Sequence, residues 1–236
     1  MSRVQIPSSA PFFVSRGRPR LPHGGCGAAV QVGRPRALSR EAQVPERSRR
    51  GDPEAARRAV ADLIRALGLD PATEPELAGT PARVAELYAE IFAGLDPGAE
   101  PTLATFPRPA GGEDLVVVRD LPFHSLCVHH FVPFFGRAHV AYLPGERLLG
   151  ISGAARLLEF YARRPQLQER LTAQVADHLV GVLEPRGVAV VLEARHLCME
   201  MRGVRRRGRV ETRATRGLLS APEWRGVLGP GGRRPR

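Results

Sequence analysis

The 236-residue sequence predicts an α+β fold: one globular core with extra segments at both ends. Apolar residues recur at helical spacing between 52 and 98, whereas from 114 onwards short β-branched runs alternate with helical patterns. Hydrophobic residues make up 43% of the chain, enough for one sizeable core. Apolar runs of about 18 residues or more are absent, so we expect no transmembrane helix and a cytoplasmic location.

Charge divides the chain into three parts. The net charge is +11, but residues 1–51 carry +8, residues 52–201 carry −6 and residues 202–236 carry +9. We predict a disordered basic tail over 1–51, a helical segment over 52–98, the main domain over 99–217 and a C-terminal tail over 218–236. Basic charge confined to the ends argues against a nucleic-acid surface in the core, and no membrane partner is expected.

The segment 52–98 predicts two helices. Asp52 is suited to cap the first, with Pro53 at its first helical position and Gly68 at its end. The second begins at Thr80–Pro81 and stops before the turn at 96–98. An apolar stripe on each helix indicates that both pack against other elements.

The main domain predicts strands and two consecutive helices. Strands are expected over 115–119 and 136–143. A helix is expected to begin with Ser152 as its cap, and a longer one to begin at Pro165. The stretch 187–201 is predicted to form one long strand.

Two short clusters combine Cys with His. Cys127 and His130 form a C-x-x-H pair, a spacing that lets both side chains reach one ion from a turn. Residues two apart in a strand share a face, so His196 and Cys198 are expected to project together. A metal with three protein ligands, Cys127, His130 and Cys198, keeps a position for water, and His129 and His196 remain for proton transfer.

A structural interpretation of the same residues stays open at this point. Buried Cys is often a small hydrophobic residue, and a lone His is usually a satisfied polar group. The strand period also predicts that Glu200 and Arg202 lie on the face of His196. Two Cys/His clusters at ligand spacing in one short chain favour the metal site over the structural interpretation.

Four motifs together resemble the GTP cyclohydrolase I family, in the family's order, over about residues 54–204. They are TPxRVA at 80–85, SLCxHHFVPF at 125–134, RPQLQERLT at 164–172 and HLCMxMRGV at 196–204. The resemblance implies an enzyme that hydrolyses the imidazole ring of GTP and releases formate and 7,8-dihydroneopterin triphosphate, the first step of folate or pterin synthesis.

The resemblance also implies roles for the Cys and His residues. Zn²⁺ is the expected cofactor, held by Cys127, His130 and Cys198. His196 is expected to protonate the purine imidazole nitrogen while water activated by the zinc attacks the ring carbon. His129 is expected to assist the later ring opening.

Five further residues resemble the substrate contacts of the family. Gln168 and Glu169 are expected to recognise guanine, since a carboxylate accepts hydrogen bonds from its amino and ring N–H groups. Ser152, Arg156 and Arg202 resemble the ribose and triphosphate contacts, for which Arg is suited by its bidentate geometry.

The fold implied by the resemblance is the tunnelling fold, an antiparallel sheet with helices that forms an oligomeric barrel. On this basis 99–217 is the catalytic domain, and we expect a homo-oligomer, a decamer of two stacked pentamers. The active sites of such an assembly lie between subunits.

Three departures from the family pattern keep alternatives open. Val128 stands where Glu is usual, Gly153 where Lys is usual, and the segment 205–216 is rich in Arg where Ser and Thr are usual. Strand alternation places several of these Arg on both faces, which is unfavourable for a buried barrel strand. The alternatives are a family member with altered substrate or partial chemistry, a non-catalytic zinc-binding assembly protein, and a tunnelling-fold nitrile reductase.

Overall fold

The computed structural model describes residues 51–109, 111 and 115–219, all within the compact unit Glu46–Arg236. The predicted tail over 1–51 lies outside the described residues except for Gly51, and the predicted tail over 218–236 lies outside them beyond Leu219. Among the described residues, no helix has the length and apolar character needed to cross a membrane.

The two helices expected in the segment 52–98 are present. Helix α1 spans Pro53–Ala66 and helix α2 spans Thr80–Ile91. The carboxylate of Asp52 accepts a hydrogen bond from the Ala55 N–H at 3.0 Å, which confirms the predicted N-cap. Short 3₁₀ turns, at Pro75–Leu77, Ala93–Leu95 and Pro97–Ala99, precede and follow α2.

A five-stranded sheet forms the centre of the molecule, in the order β5–β2–β3–β6–β7. All its pairs are antiparallel except β2 with β5, which is parallel. Two further strands, β1 (Thr105–Pro107) and β4 (Arg147–Leu149), pair with each other. The central strands are β2 (Val116–Cys127), β3 (Pro133–Leu143), β5 (Pro165–Gln166), β6 (Gly187–His196) and β7 (Val210–Gly217).

Helices α3 (Gly153–Ala162) and α4 (Gln168–Leu183) cover one face of this sheet. Their apolar residues, including Leu157, Leu171 and Leu179, are fully buried against strand residues such as Val140 and Val190. The predicted α+β class is therefore confirmed. The core fixes the end of β2, the start of α4 and the end of β6 relative to one another, and these three positions carry the chemistry.

Two expectations about helix starts need correction. The longer helix does not begin at Pro165: Pro165–Gln166 pairs with β2 as a parallel strand, and α4 begins at Gln168. Ser152 is the N-cap residue of α3, but its backbone is helical and its side chain makes no capping hydrogen bond. Extended pairing at 165–166 overrides the usual preference of Pro for a first helical turn, because β2 offers it a partner.

The strand predicted over 187–201 ends earlier. Strand β6 stops at His196, and Leu197–Glu200 forms a short helical turn, α5. The predicted alternation from His196 through Cys198 to Glu200 and Arg202 is therefore wrong. Cys198 reaches the site from a helical turn rather than from the strand face that carries His196.

The Arg-rich segment does not place unpaired charge in the sheet. Strand β7 begins only at Val210, so the residues 205–209 precede it in an irregular loop. Within β7, Arg213 pairs with Glu211, and Arg216 Nε donates to Asp177 at 2.7 Å. Within this chain both Arg side chains of β7 thus have acidic partners; their burial in an oligomeric barrel stays a prediction.

Candidate active site

The sulfur of Cys127 lies within reach of both expected histidines. Cys127 ends β2, and the turn after it brings His130 Nδ1 to 3.9 Å and His129 Nδ1 to 3.8 Å from its Sγ atom. Cys198 approaches the same point from α5. One ligand atom each from Cys127, His130 and Cys198 lie within 4.8 Å of one another.

The chemistry of these three groups fits a metal ion. Two sulfurs and one imidazole are typical zinc ligands, and zinc bond lengths of about 2.3 Å to sulfur and about 2.0 Å to nitrogen place tetrahedral ligands about 3.6 Å apart. Burial raises the pKa of the Cys198 thiol, and the adjacent Cys127 raises it further. Two sulfurs held this close repel each other as thiolates, so a cation between them removes the penalty.

Arg202 lies on the outer side of His130. Its Nη1 is 2.9 Å from His130 Nε2, and since a guanidinium only donates, Nε2 is the acceptor in this arrangement. The prediction from strand alternation that Arg202 lies on the same face as His196 is therefore wrong. The turn α5 and the residues after it instead carry Arg202 back over the turn that holds His130.

His196 is held by two rigid neighbours. Its ring stacks on Phe134 with centroids 4.7 Å apart and planes within 1° of parallel. Its Nε2 lies 2.7 Å from Oε1 of Gln168, the first residue of α4. The ring is therefore fixed both in its plane and in its rotation.

The amide of Gln168 also fixes the tautomer of His196. Gln168 Nε2 donates to the carbonyl oxygens of Leu192 at 3.0 Å and Val210 at 2.9 Å, so Oε1 faces His196. An oxygen only accepts here, and His196 Nε2 therefore carries a proton. The neutral ring leaves Nδ1 unprotonated.

Opposed effects act on the pKa of His196. Burial lowers the pKa of the imidazole, and the negative charge of Glu169 opposes this by favouring the protonated form. A lowered pKa makes the imidazolium a stronger acid. The environment therefore suits a group that gives up a proton during a reaction.

The three remaining residues near the metal cluster differ in exposure. Gln168 is only 2% exposed, and its side-chain amide is already used inside the protein. Glu169, one position further along α4, is exposed, and so is His129. Glu169 is thus free to contact a substrate, whereas Gln168 faces His196.

Ser152 precedes the first residue of α3 and Arg156 lies one turn further along, whereas the metal cluster neighbours the C-terminal end of this helix. The hydroxyl of Ser125, two residues before Cys127, donates to the Ala162 carbonyl at 2.7 Å, which ties the C-terminal end of α3 to this end of β2. A helix of ten residues is about 15 Å long. Both residues are exposed, and within the described part of the chain neither forms a hydrogen bond or ion pair with Cys127, His130 or Cys198.

Val128 and Gly153, which depart from the family pattern, both lie next to structured neighbours, but nothing in the structure explains the choice of Val at 128. Val128 is half-buried, and its N–H donates to the Gln166 carbonyl at 3.0 Å, as part of the register between β2 and β5. A Cβ atom at Gly153 would lie 2.6 Å from Cδ1 of Leu149, so the Leu149 side chain packs directly against this glycine. A Lys at 153 would require Leu149 to move.

Sequence reasoning missed the supports around His196. The motifs do not indicate that Phe134 stacks on His196 or that Gln168 accepts a hydrogen bond from it; recognition of guanine by Gln168 stays a prediction. The pairing between the β3 and β6 ends, Phe134 with His196, is the signal that would have found the stacked rings. Arg195 and Glu200 form a close ion pair across the turn into α5, which was also missed.

A cavity of about 390 Å³ opens elsewhere, on the sheet around β3 and β6. Its lining includes Phe135, Arg195 and Glu193, but none of the predicted site residues. The metal cluster instead lies at a surface where His129 and His130 are exposed. In this chain by itself the candidate site is open on one side.

Comparison with known proteins gives one consistent family. The sequence model of the GTP cyclohydrolase I family matches residues 56–225. GTP cyclohydrolase 1 of Halalkalibacterium halodurans is 52% identical over 171 residues, which cover 72% of this chain and 90% of that protein. The enzyme of the same name from Geobacillus kaustophilus is 52% identical over 163 residues, 68% of this chain and 86% of that protein. That of Bacillus subtilis is 48% identical over 163 residues, 68% and 85%.

Proposed function

This chain belongs to the GTP cyclohydrolase I family, a family of hydrolases, and we propose that it opens the imidazole ring of GTP with the help of zinc. The products are formate and 7,8-dihydroneopterin triphosphate. The observation that supports this most is the placement of Cys127, His130 and Cys198 around one point, beside a histidine whose orientation and tautomer are fixed.

The proposed cofactor is Zn²⁺, held by Cys127, His130 and Cys198. A zinc ion bound there supplies a Lewis acid that activates water for attack on the ring carbon. The soft sulfur ligands favour zinc over Mg²⁺ or Ca²⁺, which prefer oxygen. Arg202 must release His130 Nε2 if His130 binds the ion through Nδ1, because that nitrogen then gives up its proton and Nε2 becomes the donor.

The proposed proton donor is His196. Stacking on Phe134 and the hydrogen bond to Gln168 hold its Nδ1 edge in one direction, so a proton carried there is delivered to one place. Gln168 acts as a positioning residue in this scheme. His129, exposed and close to Cys127, is proposed to transfer protons in the later ring opening.

Substrate recognition is proposed to use exposed residues around the histidines. Glu169, at the first turn of α4, is free to accept hydrogen bonds from guanine. Arg202 is exposed next to His130 and is suited to a phosphate. Ser152 and Arg156 are proposed to contact ribose and triphosphate. All these residues belong to 99–217, which we propose is the catalytic domain.

We further propose that a second copy of this chain completes each site. Along the axis of α3, Ser152 lies about 15 Å and Arg156 about 9 Å from Ala162, the end of the helix that neighbours the metal cluster. One GTP molecule can contact the metal cluster of one subunit and Ser152 and Arg156 of another if the two subunits meet at the open side of the metal cluster. The tunnelling fold, with two pentamers stacked as a decamer, provides such contacts.

The test is turnover of GTP by purified, zinc-loaded protein. Formate release, the absorbance of the pterin and the mass of the product are measured together. We expect formate and dihydroneopterin triphosphate in equal amounts, both abolished by chelation. A ring-opened product that keeps its formyl group would point to partial chemistry, and no turnover by zinc-loaded, oligomeric protein would reject the proposal.

A further inference from the structure

The loop between α5 and β7 is strongly basic, and the acidic residues near it are too few to neutralise its charge. Residues 201–209 contain five Arg and neither Asp nor Glu. All five Arg are exposed. Nothing proposed so far uses this loop beyond Arg202.

The loop is attached to the metal cluster rather than free of it. The backbone N–H of Arg206 donates to the Met199 carbonyl at 3.3 Å, which ties the loop to the residue after Cys198. The Arg205 N–H donates to the Arg202 carbonyl at 3.2 Å, and Arg205 has a positive φ of 49°, so a tight turn forms there. Arg206 and Arg207 therefore start next to α5.

The guanidinium groups at the two ends of the loop have partners, and those in the middle do not. Arg202 donates to His130, and Arg209 lies 3.6 Å from Glu193. Among the described residues, the side chains of Arg206 and Arg207 make no hydrogen bond or ion pair.

The hydrogen bonds from Arg195 lower the pKa of Glu200, and the charge of Arg207 lowers this pKa a little further, but the Glu200 carboxylate itself is held by Arg195. It is therefore not available to neutralise the loop. Two exposed cations next to α5, neither of them ion-paired within the described part of the chain, attract a polyanion.

We propose that Arg206 and Arg207 bind the triphosphate of the substrate. This inference rests on the proposed function, since it assumes that a nucleoside triphosphate enters the site beside the metal cluster. Arg is suited to the task because its planar fork matches phosphate oxygens in a bidentate way. The chain contains no Lys at all, and Gly153, packed against Leu149, offers no charge at the start of α3.

The proposal predicts a dependence on the number of phosphates. The triphosphate of GTP is long enough to bind both Arg residues, whereas the single phosphate of GMP contacts at most one of them, so GMP should bind more weakly. The wild-type preference for GTP over GMP should therefore depend on this loop. Its strength should fall as salt rises, because the groups are exposed.

The test compares a double variant with a control of equal charge change. Arg206→Gln/Arg207→Gln removes two charges beside the site and leaves the turn at Arg205 intact. Arg57→Gln/Arg58→Gln removes two exposed charges from α1. We expect the loop variant to raise KM for GTP at least about tenfold with kcat within about twofold of wild type, and the control to change neither.

A second measurement separates this proposal from the proposed function. Binding of inorganic tripolyphosphate to zinc-loaded protein is followed by calorimetry for the wild type and both variants, and it requires no turnover. Weaker binding only in the loop variant supports the proposal even if GTP is not hydrolysed. An unchanged KM and unchanged tripolyphosphate binding, or equal losses in loop variant and control, would overturn it and leave the proposed function intact.

Discussion

The two ends of α3 differ in how much of the site they hold. At its C-terminal end, near Ala162, one chain brings together two Cys, three His and the residues that orient them. At its N-terminal end, Ser152 and Arg156 are exposed and touch none of these groups. The proposed metal and proton-transfer residues therefore lie together within a single chain, whereas Ser152 and Arg156, two of the proposed ribose and triphosphate contacts, lie apart from them.

The difference follows from the kind of interaction each end uses. Metal ligands and a fixed histidine need sub-ångström placement, which strand pairing and stacked rings supply. The sheet register sets Phe134 opposite His196, and buried Gln168 bridges α4, β6 and β7. Phosphate contacts tolerate exposed, flexible side chains, so another subunit is able to provide them.

The largest expected effect is at the metal cluster. Cys198→Ser should remove zinc and lower kcat/KM at least about a thousandfold, because a Lewis acid contributes several kcal/mol and each tenfold takes about 1.4 kcal/mol. Zinc content by elemental analysis and formate release check this. Met201→Leu, an exposed neighbour, is the control. Full activity in a zinc-free Cys198→Ser protein would contradict a metal role.

The next effect is at the fixed histidine. His196→Ala should keep its zinc and lose about 10²- to 10⁴-fold in kcat, the usual contribution of a general acid or base. His129→Ala should also be slow, but its products should include the ring-opened species that keeps the formyl group. Mass spectrometry of both product mixtures decides this. If the two variants give the same products, the division of roles between the histidines is wrong.

A mixing experiment tests whether the two ends of α3 work in different subunits. Arg156→Glu should lower kcat/KM about a hundredfold by repelling the triphosphate, since charged hydrogen bonds are lost and repulsion is added. The Arg156→Glu variant is then refolded with an equal amount of the Cys198→Ser variant. Activity should return to about one quarter of wild type, because at random about one quarter of the shared sites take their metal ligands from an Arg156→Glu subunit and their Arg156 from a Cys198→Ser subunit.

The control for the mixing experiment combines two variants whose substitutions lie in the same part of the site. Cys198→Ser mixed with His196→Ala should recover nothing, since both residues belong to the part built within one chain. Recovery in this control, or none in the Arg156→Glu mixture once mixed oligomers are shown by mass, would contradict a site shared between copies.

A smaller effect is expected at the residue that orients His196. Gln168→Met keeps the volume but loses the hydrogen bond to His196 Nε2, and kcat should fall about 10- to 100-fold, as for other groups that orient a ligand or catalytic residue. Nitrogen NMR of His196 should show the loss of a single tautomer. Unchanged KM for GTP separates positioning from guanine binding; a rise in KM with unchanged kcat would favour the guanine contact.

Much of the site was predictable from local spacing, and some of it was not. Cys127 and His130 are three residues apart, so a single turn is enough to bring them together. The grouping of His196 with Cys198 and Arg202 failed because β6 ends at His196, where a helical turn begins. The predicted cluster of Cys127, His130 and Cys198 is nevertheless present, because α5 places Cys198 close to the end of β2.

The role of Gln168 shows the limit of sequence reasoning. Nothing near it in the chain indicates that its amide bridges two carbonyls and a histidine, since those partners lie 24 to 42 residues away. Likewise, the packing of Leu149 against Gly153 is visible only in the tertiary structure.

The sequence by itself determined the fold class, the helical N-terminal segment, the family and the identity of the Cys and His residues, because these depend on composition, periodicity and local spacing. The tertiary structure decided where β6 ends, which tautomer His196 adopts, how the Arg-rich loop is attached to α5 and how far Ser152 lies from the metal cluster. Each of these depends on contacts between segments distant in the chain. Their energies arise only when the sheet and its two helices pack together.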